Sequence, residues 1–296
     1  VTGATGFIGS NLTKELVKRE KVKCLARETS NKDKVDELRY HGADIVYGDI
    51  RDKQSLERAV EGVDSVVHLV GIMLGTRKEK ATYEQIHVEG TRNLVDICKE
   101  KGVRKFIYVS ALGAGSNAVT PFLRTKYEAE EITKSVPYVI FRPSFVHGKG
   151  DYLVSQITNN IERYHVTFVP IPNAKSQPIY VEDLNKCLIK SLYDDRTTNK
   201  TYEIGGPDQL TFDEFVDSII NVSGVRARKI HVGRRMANLT GIWPISKAYE
   251  KFFSSLPPTL EQLTMLQTDN TCDVEAVKKD FEIDLTPFKE ALKSYL

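Results

Sequence analysis

The stretch Val1-Thr-Gly-Ala-Thr-Gly-Phe-Ile-Gly-Ser10 carries the first recognisable chemistry in this chain of 296 residues. Gly3, Gly6 and Gly9 are spaced G-x-x-G-x-x-G, ahead of a helical pattern in which Ile8, Leu12 and Leu16 recur at i, i+4 and i+8. A glycine-rich turn feeding a helix N-terminus is an anion site. Backbone N–H groups and the positive end of the helix dipole face the charge, and the missing side chains let a pyrophosphate come close. Only the end of the preceding strand is visible, so a few residues are expected before Val1. Arg27, at the end of the next predicted strand, is the second candidate. An acid there would accept hydrogen bonds from a ribose 2′-OH, whereas a guanidinium can pair with a 2′-phosphate and stack on adenine. A charged hydrogen bond of about 1.5–3 kcal/mol would favour NADP over NAD by roughly tenfold to a hundredfold.

Other reactive types point to less. His68 lies in an apolar strand and reads as a core histidine. Cys24, Cys98, Cys187 and Cys272 are far apart, and the first three read as small buried residues in a reducing compartment. No histidine, cysteine or acid cluster has metal-ligand spacing, so no metal is expected. Asp183 reads as a helix cap, and Glu128, Glu130 and Glu131 as a solvated helix face. Residues 226–253 place Arg226, Arg228, Lys229, Arg234 and Arg235 before Trp243, Tyr249, Phe252 and Phe253. That pattern suits a lid with its aromatics inward, or an element docking on a membrane surface or partner.

Strands and helices alternate through the first half. Strands are expected at 22–26, 44–49, 65–70, 105–110 and 138–141, with helices between them, including one over 83–100 and one around 126–132. Asp52 is the expected cap of one helix, and Thr211 with Glu214 forms a capping box for another. This cadence specifies an α/β fold, a doubly wound parallel Rossmann sheet with a smaller C-terminal lobe. The core is expected over 1–144, completed by about 179–224. Residues 145–178 and 225–296, with a helix near 260–268, form the substrate-side lobe. With 41% apolar and 28% charged residues, the composition is that of a soluble globular protein. A net charge of +2 argues against a nucleic-acid partner. No apolar run approaches the roughly 20 residues of a membrane span. The expected location is cytoplasmic, or peripheral to a membrane.

Thr2-Gly-Ala-Thr-Gly-Phe-Ile-Gly9, Gly48-Asp49, His87-Val-Glu-Gly-Thr91, Arg142-Pro-Ser-Phe-Val146, Val181-Glu-Asp183 and Gly205-Gly-Pro207 occur in one order and spacing. Together they resemble the extended or atypical short-chain dehydrogenase/reductases, a group also labelled NAD-dependent epimerase/dehydratase. Ser110-Ala-Leu-Gly-Ala114, Leu123-Arg-Thr-Lys126 and the stretch from Leu260 to Asn270 most resemble the branch containing the dehydrogenase-like accessory subunit of respiratory complex I. The resemblance implies NADP, or NAD, as cofactor. It would lay the pyrophosphate over Thr5, Gly6, Phe7, Ile8 and Gly9, and the adenine near Asp49 and Ile50. Leu69, Val70 and Gly71 would wall the adenosine side. Val109, Ser110, Lys126, Pro143 and Phe145 would contact the rest of the dinucleotide. His87 would support the backbone near the site, and Leu112, Phe122 and His147 would face the substrate.

The family's usual acid–base pair is Tyr-x-x-x-Lys, in which the lysine binds the nicotinamide ribose and lowers the tyrosine pKa. Lys126 matches the lysine, but Phe122 stands four residues earlier. Tyr127 is one helical step away, rotated by about 100°. Leu112 stands where the partner serine is usual, and no acidic pair follows Ser110. Acid–base assistance is worth about 10²–10⁴ in rate, so ordinary alcohol oxidation is disfavoured. Three functions remain open: reduction of a quinone or enone acceptor, with Lys126 or water giving the proton; a sugar-nucleotide epimerase or dehydratase; and a non-catalytic assembly or redox-sensing subunit of a respiratory complex.

Overall fold

The computed structural model describes residues 1–73, 82–170, 174–232, 264–265 and 268–296. The chain divides into two compact units, the first formed by Val1–Pro143, Val181–Ile204 and Glu275–Ile283. Its strands are β1 (Lys23–Ala26), β2 (Asp44–Tyr47), β3 (Ser65–His68), β4 (Lys105–Val109), β5 (Tyr138–Pro143) and β10 (Lys200–Ile204). All pair in parallel. Thr2 bridges Leu25 on one side and His68 on the other, so the sheet order is β2, β1, residue 2, β3, β4, β5, β10. The chain's opening residues thus form its central position. Every residue of β4 is buried, as expected of a strand covered on both faces. On one face lie α3 (Lys53–Val60), α4 (Gly90–Glu100) and α5 (Pro121–Thr133), whose core joins Leu56, Leu94, Val95 and Ala129 to Phe106, Tyr108 and Ile140. The remaining helices of the unit are α1 (Phe7–Leu16), α2 (Lys32–Tyr40), α7 (Val181–Tyr193) and α9 (Glu275–Phe281).

Several sequence expectations are met locally. Asp52 caps α3 by accepting from the Gln54 N–H, and Thr211 and Glu214 form the capping box. Cys24, Cys98 and Cys187 are buried free thiols. Other expectations need correction. The segment before α4 is a π-helix, Glu84–Glu89, rather than the start of a continuous α-helix. Asp183 lies inside the first turn of α7, buried and 3.0 Å from Lys186, not at the cap. Glu130 is fully buried and grips Arg142 through two oxygens, at 2.9 and 2.6 Å. It stands four residues after Lys126 and so shares that residue's inward face, while Glu128 and Glu131 face water.

The second unit comprises Ser144–Tyr180, Gly205–Val274 and Asp284–Leu296. It holds β6 (Val146–His147), β7 (Val166–Pro170), β8 (Lys175–Ser176), β9 (Ile179–Tyr180), β11 (Leu210–Thr211) and β12 (Arg228–Val232), paired as β6 with β9, β7 with β12 and β8 with β11. Helices α6 (Tyr152–Tyr164), α8 (Phe212–Ser223) and α10 (Phe288–Tyr295) close over Val154, Ile161, Phe215, Ile219, Phe288 and Leu292. The division differs from the expected one. Residues 205–224 join this unit, because the apolar face of α8 packs on α6 and α10, and residues 275–283 return to the first, where Phe281 packs on Phe141 and Tyr202. Most of the 226–253 stretch and of the helix expected near 260–268 lies outside the described residues.

The Glu130–Arg142 pair yields a stability test. Removing one partner of a buried pair strands the other, so Glu130→Ala should cost about 3 kcal/mol in urea denaturation. Glu131→Ala, on the wet face of the same helix, should change stability by less than about 0.5 kcal/mol.

Candidate functional site

The site begins where residue 2 leaves the sheet. Gly3 has φ +73°, and a β-carbon there would lie 2.9 Å from the Leu69 carbonyl carbon. A β-carbon on Gly9 would sit 2.2 Å from the Gly3 oxygen. Only hydrogen fits at either place, so α1 seats directly on the turn. Gly6 is its N-cap, with no side-chain capping bond and no acid in the first turn. The first turn's N–H groups, those of Phe7 and Ile8 among them, have no acceptor inside the helix. The uncapped dipole and the tight glycine cradle of residues 3–9 fit a pyrophosphate.

Arg27 follows β1 in a tight turn: its N–H donates to Ser30 Oγ at 3.1 Å, and the Ser30 N–H donates back to its carbonyl at 2.9 Å. The side chain is exposed. Asp49 is engaged by the Arg51 guanidinium through both oxygens at 2.8 Å. That fork is the chief reason its carboxyl is held below the usual range, and the charge of Arg27 adds to it. Ile50 is buried in the core beside Leu25 and Leu56.

The most constrained groups meet beside Gly71. The position a Gly71 β-carbon would take is 3.6 Å from His87 Nε2 and 3.8 Å from Lys126 Nζ. His87 Nε2 accepts from the Ile72 N–H at 3.0 Å, so the imidazole is neutral with its proton on Nδ1. That proton goes to Thr125 Oγ1 at 2.9 Å, and the Thr125 hydroxyl serves the carbonyls of Pro121 and Phe122. Burial, with the Lys126 charge behind it, pushes His87 down to about 3. One neutral ring therefore ties the loop after β3 to the helix that carries Lys126.

Lys126 is buried on α5, donates to the Val109 carbonyl at 2.7 Å and lies 4.2 Å from the centre of the Tyr108 ring. Burial pushes its ammonium down to about 7. Phe122 is buried one turn earlier and meets His87 edge-on at 5.6 Å. Tyr83, which the sequence reading passed over, stacks on His87 at 5.4 Å and donates to the Met73 carbonyl at 2.6 Å. Its position four residues before His87 was the available signal. Leu112 is buried, and its N–H donates to the carbonyl of Pro143. His68 is the expected core residue: buried, flanked by Thr2 at 2.6 Å and Thr91 at 3.0 Å, and held well below its usual pKa by burial.

These positions lie in the first unit. In the second, Phe145 packs edge-on to Phe215. His147 departs from its expected substrate-facing role. It is fully buried, paired with the Tyr295 hydroxyl at 3.1 Å and packed on Phe288 at 4.7 Å, which makes it a core residue.

The 3-beta hydroxysteroid dehydrogenase/isomerase family matches residues 1–139. Over 99% of its length the chain is 28% identical to the mitochondrial NADH dehydrogenase [ubiquinone] 1 alpha subcomplex subunit 9 of Dictyostelium discoideum, covering 82% of that protein. These matches make the chain similar to proteins of the short-chain dehydrogenase/reductase type. It is also 26% identical to the 2-alkyl-3-oxoalkanoate reductase of Stenotrophomonas maltophilia, over 95% of this chain and 92% of that one. UDP-glucose 4-epimerase of Thermus thermophilus, solved in complex with NAD, shares the fold with a TM-score of 0.75 at 17% identity, over 99% of this chain and 95% of that one. No helix among the described residues is long and apolar enough to cross a membrane.

The buried ammonium has a measurable signature. Lys126 titrates near 7 when folded and near its ordinary 10.5 when unfolded. Between those values the unfolded chain binds more protons, so this group makes stability rise with pH, and its penalty is full below about pH 7. Lys126→Met removes the charge and keeps the stem. Thermal melts of the apoprotein between about pH 7 and 10 should show the variant losing ground to wild type as pH rises. A constant difference would mean that the ammonium is not buried in solution.

Proposed function

We propose that the chain binds NADP(H) and reduces a conjugated acceptor, a quinone or an enone. One observation carries this reading: a buried ammonium held near neutrality stands beside Gly71 in the loop after β3, with phenylalanine where an acidic phenol would be usual. When bound, the reduced nicotinamide would supply the hydride. The protein's own part is to hold and to protonate. The glycine turn and the open end of α1 take the pyrophosphate, and Arg27 takes the 2′-phosphate. Lys126 gives its proton to the acceptor oxygen as charge arrives there. A conjugated acceptor spreads that charge and needs less acid help than an isolated ketone. An ammonium titrating near 7 is still about half protonated at neutral pH. The oxoalkanoate reductase among the relatives supports reduction as the type of chemistry.

A second reading has its own support. The similarity to a mitochondrial NADH dehydrogenase subunit spans nearly the whole chain. Nucleotide binding would then serve assembly or redox sensing, stabilising the fold by mass action, with contact to a membrane-bound respiratory complex. The sugar-nucleotide epimerase or dehydratase reading is the least supported, since Leu112 and Phe122 are apolar where that chemistry needs hydroxyls.

Titration of the apoprotein should show NADPH binding about tenfold to a hundredfold more tightly than NADH. Arg27→Asp should remove or reverse that preference, and equal affinities in the wild type would reject it. For the loaded protein, kcat/KM on a short-chain benzoquinone or an enone should fall as pH rises above about 7, because Lys126 then loses the proton it donates. A flat profile would remove Lys126 as the acid. Tight NADPH binding that raises the Tm, with no turnover on any acceptor, would favour the assembly reading.

A further inference from the structure

Tyr108 is among the largest side chains that the fold encloses completely, and its hydroxyl has no hydrogen-bond partner in the protein. A buried hydroxyl left unserved is a standing cost. Phenylalanine would fill the same space without it. What the side chain does offer its surroundings is the ring. It stacks on the imidazole of His68, its cross-strand neighbour on β3, with 5.4 Å between centres. The Lys126 ammonium lies over the ring, 4.2 Å from its centre.

The other groups facing Lys126 do little to hold its charge. On its own helix Glu130 acts on it, but both carboxylate oxygens are gripped by Arg142 of β5. His68 from β3 and His87 from the π-helix are neutral rings, each fixed between partners of its own. Strand β4 supplies the Val109 carbonyl, which accepts from Nζ at 2.7 Å, and the Tyr108 ring. Among the described residues, a carbonyl dipole and an aromatic face are therefore the direct contacts that favour the ammonium. The face of an aromatic ring is its negative pole, and its attraction for a cation grows as water is removed. Here both partners are buried.

We infer that Tyr108 is a positioning residue for Lys126, and that its ring face fixes where the ammonium sits and holds the proton on it. Burial strips the ammonium of water, and the ring restores part of what is lost. Tyr108 acts through the lysine rather than on the reacting atoms. Its effect on the proton belongs to the apoprotein, whereas the use of that proton in catalysis rests on the reductase reading above. Loss of the ring's attraction should lower the midpoint at which Lys126 titrates by about half to one and a half pH units.

The test changes the ring's polarity while keeping its outline. Tyr108→Phe removes only the hydroxyl, and Tyr108→pentafluorophenylalanine also inverts the charge of the ring face. In apoprotein carrying carbon-13 lysine, the Lys126 Cε resonance is assigned by its loss in Lys126→Met and followed by NMR as pH is varied. The Phe variant should titrate within about 0.3 pH units of wild type, with Tm unchanged or higher because no protein hydrogen bond is lost. The pentafluoro variant should titrate about one pH unit lower. A para-fluorophenylalanine at the same position should shift the midpoint less, in the same direction, and decides the matter if the fully fluorinated chain does not fold. Fluorinated variants that titrate with the Phe variant would overturn the inference whatever their Tm, since the ring would then be packing alone. A Phe variant shifted as far as the pentafluoro one would overturn it too, assigning the effect to the hydroxyl. For the loaded protein, kcat/KM on a short-chain benzoquinone at pH 7 should fall about fivefold in the pentafluoro variant, as its lysine loses the proton. If the wild type turns over no acceptor, the reductase reading fails while the NMR titration still decides the role of Tyr108.

Discussion

The contact between Gly9 and the Gly3 carbonyl is the constraint on which the first unit's site depends. It leaves no room for a side chain, so the opening turn of α1 lies directly over the chain as it leaves the sheet. The two residues before Gly3 are pinned from both sides. The Thr2 N–H donates to Val67, and the Leu25 N–H donates to the Val1 carbonyl. A helix N-terminus, with its unsatisfied N–H groups, is thereby held at the carboxyl ends of β1 and β3. The loop after β3 meets the same turn, because Leu69 and Val70 lie against Gly3.

A second constraint is electrostatic. Polar groups gather under α5, where burial makes an unpaired charge expensive. Glu130 and Arg142 answer that cost with a two-oxygen pair. His68 and His87 answer it by remaining neutral, each set between fixed partners. Among the described residues Lys126 is met by a carbonyl and an aromatic face, and burial holds its proton weakly. Stability given up at one residue is a common mark of a functional position.

The aromatic trio of Tyr83, His87 and Phe122 shows how this site departs from the Tyr-x-x-x-Lys arrangement of the short-chain dehydrogenases it resembles. Phe122 contributes packing where a phenol would contribute a proton, and it helps hold the His87 ring that ties the loop to α5. In the proposed reading the proton donation rests on one lysine, Lys126. That is why the proposed reaction is confined to acceptors that need a single, modest proton donation.

The parallel sheet, the glycine turn and Lys126 were legible in the sequence because each depends on local spacing: alternating strand and helix periods, glycines three apart, a lysine four places after Phe122. The same local reading put Glu130 on a wet face and His147 against a substrate, and it ran one helix unbroken from residue 83. Those readings failed because burial is set by what packs across from a residue, and no short stretch contains that information. Arg142 reaches Glu130 on α5 from strand β5, and Tyr295 reaches His147 from the far end of the chain. The π-turn at Glu84–Glu89 comes with contacts of the same kind, from His87 to Ile72 and Thr125. Sequence alone determined which elements form and which residues can carry charge or leave room for a ligand. Tertiary structure alone decided which charges lose their water, and the proton affinity of Lys126 and the neutrality of His87 follow from that loss.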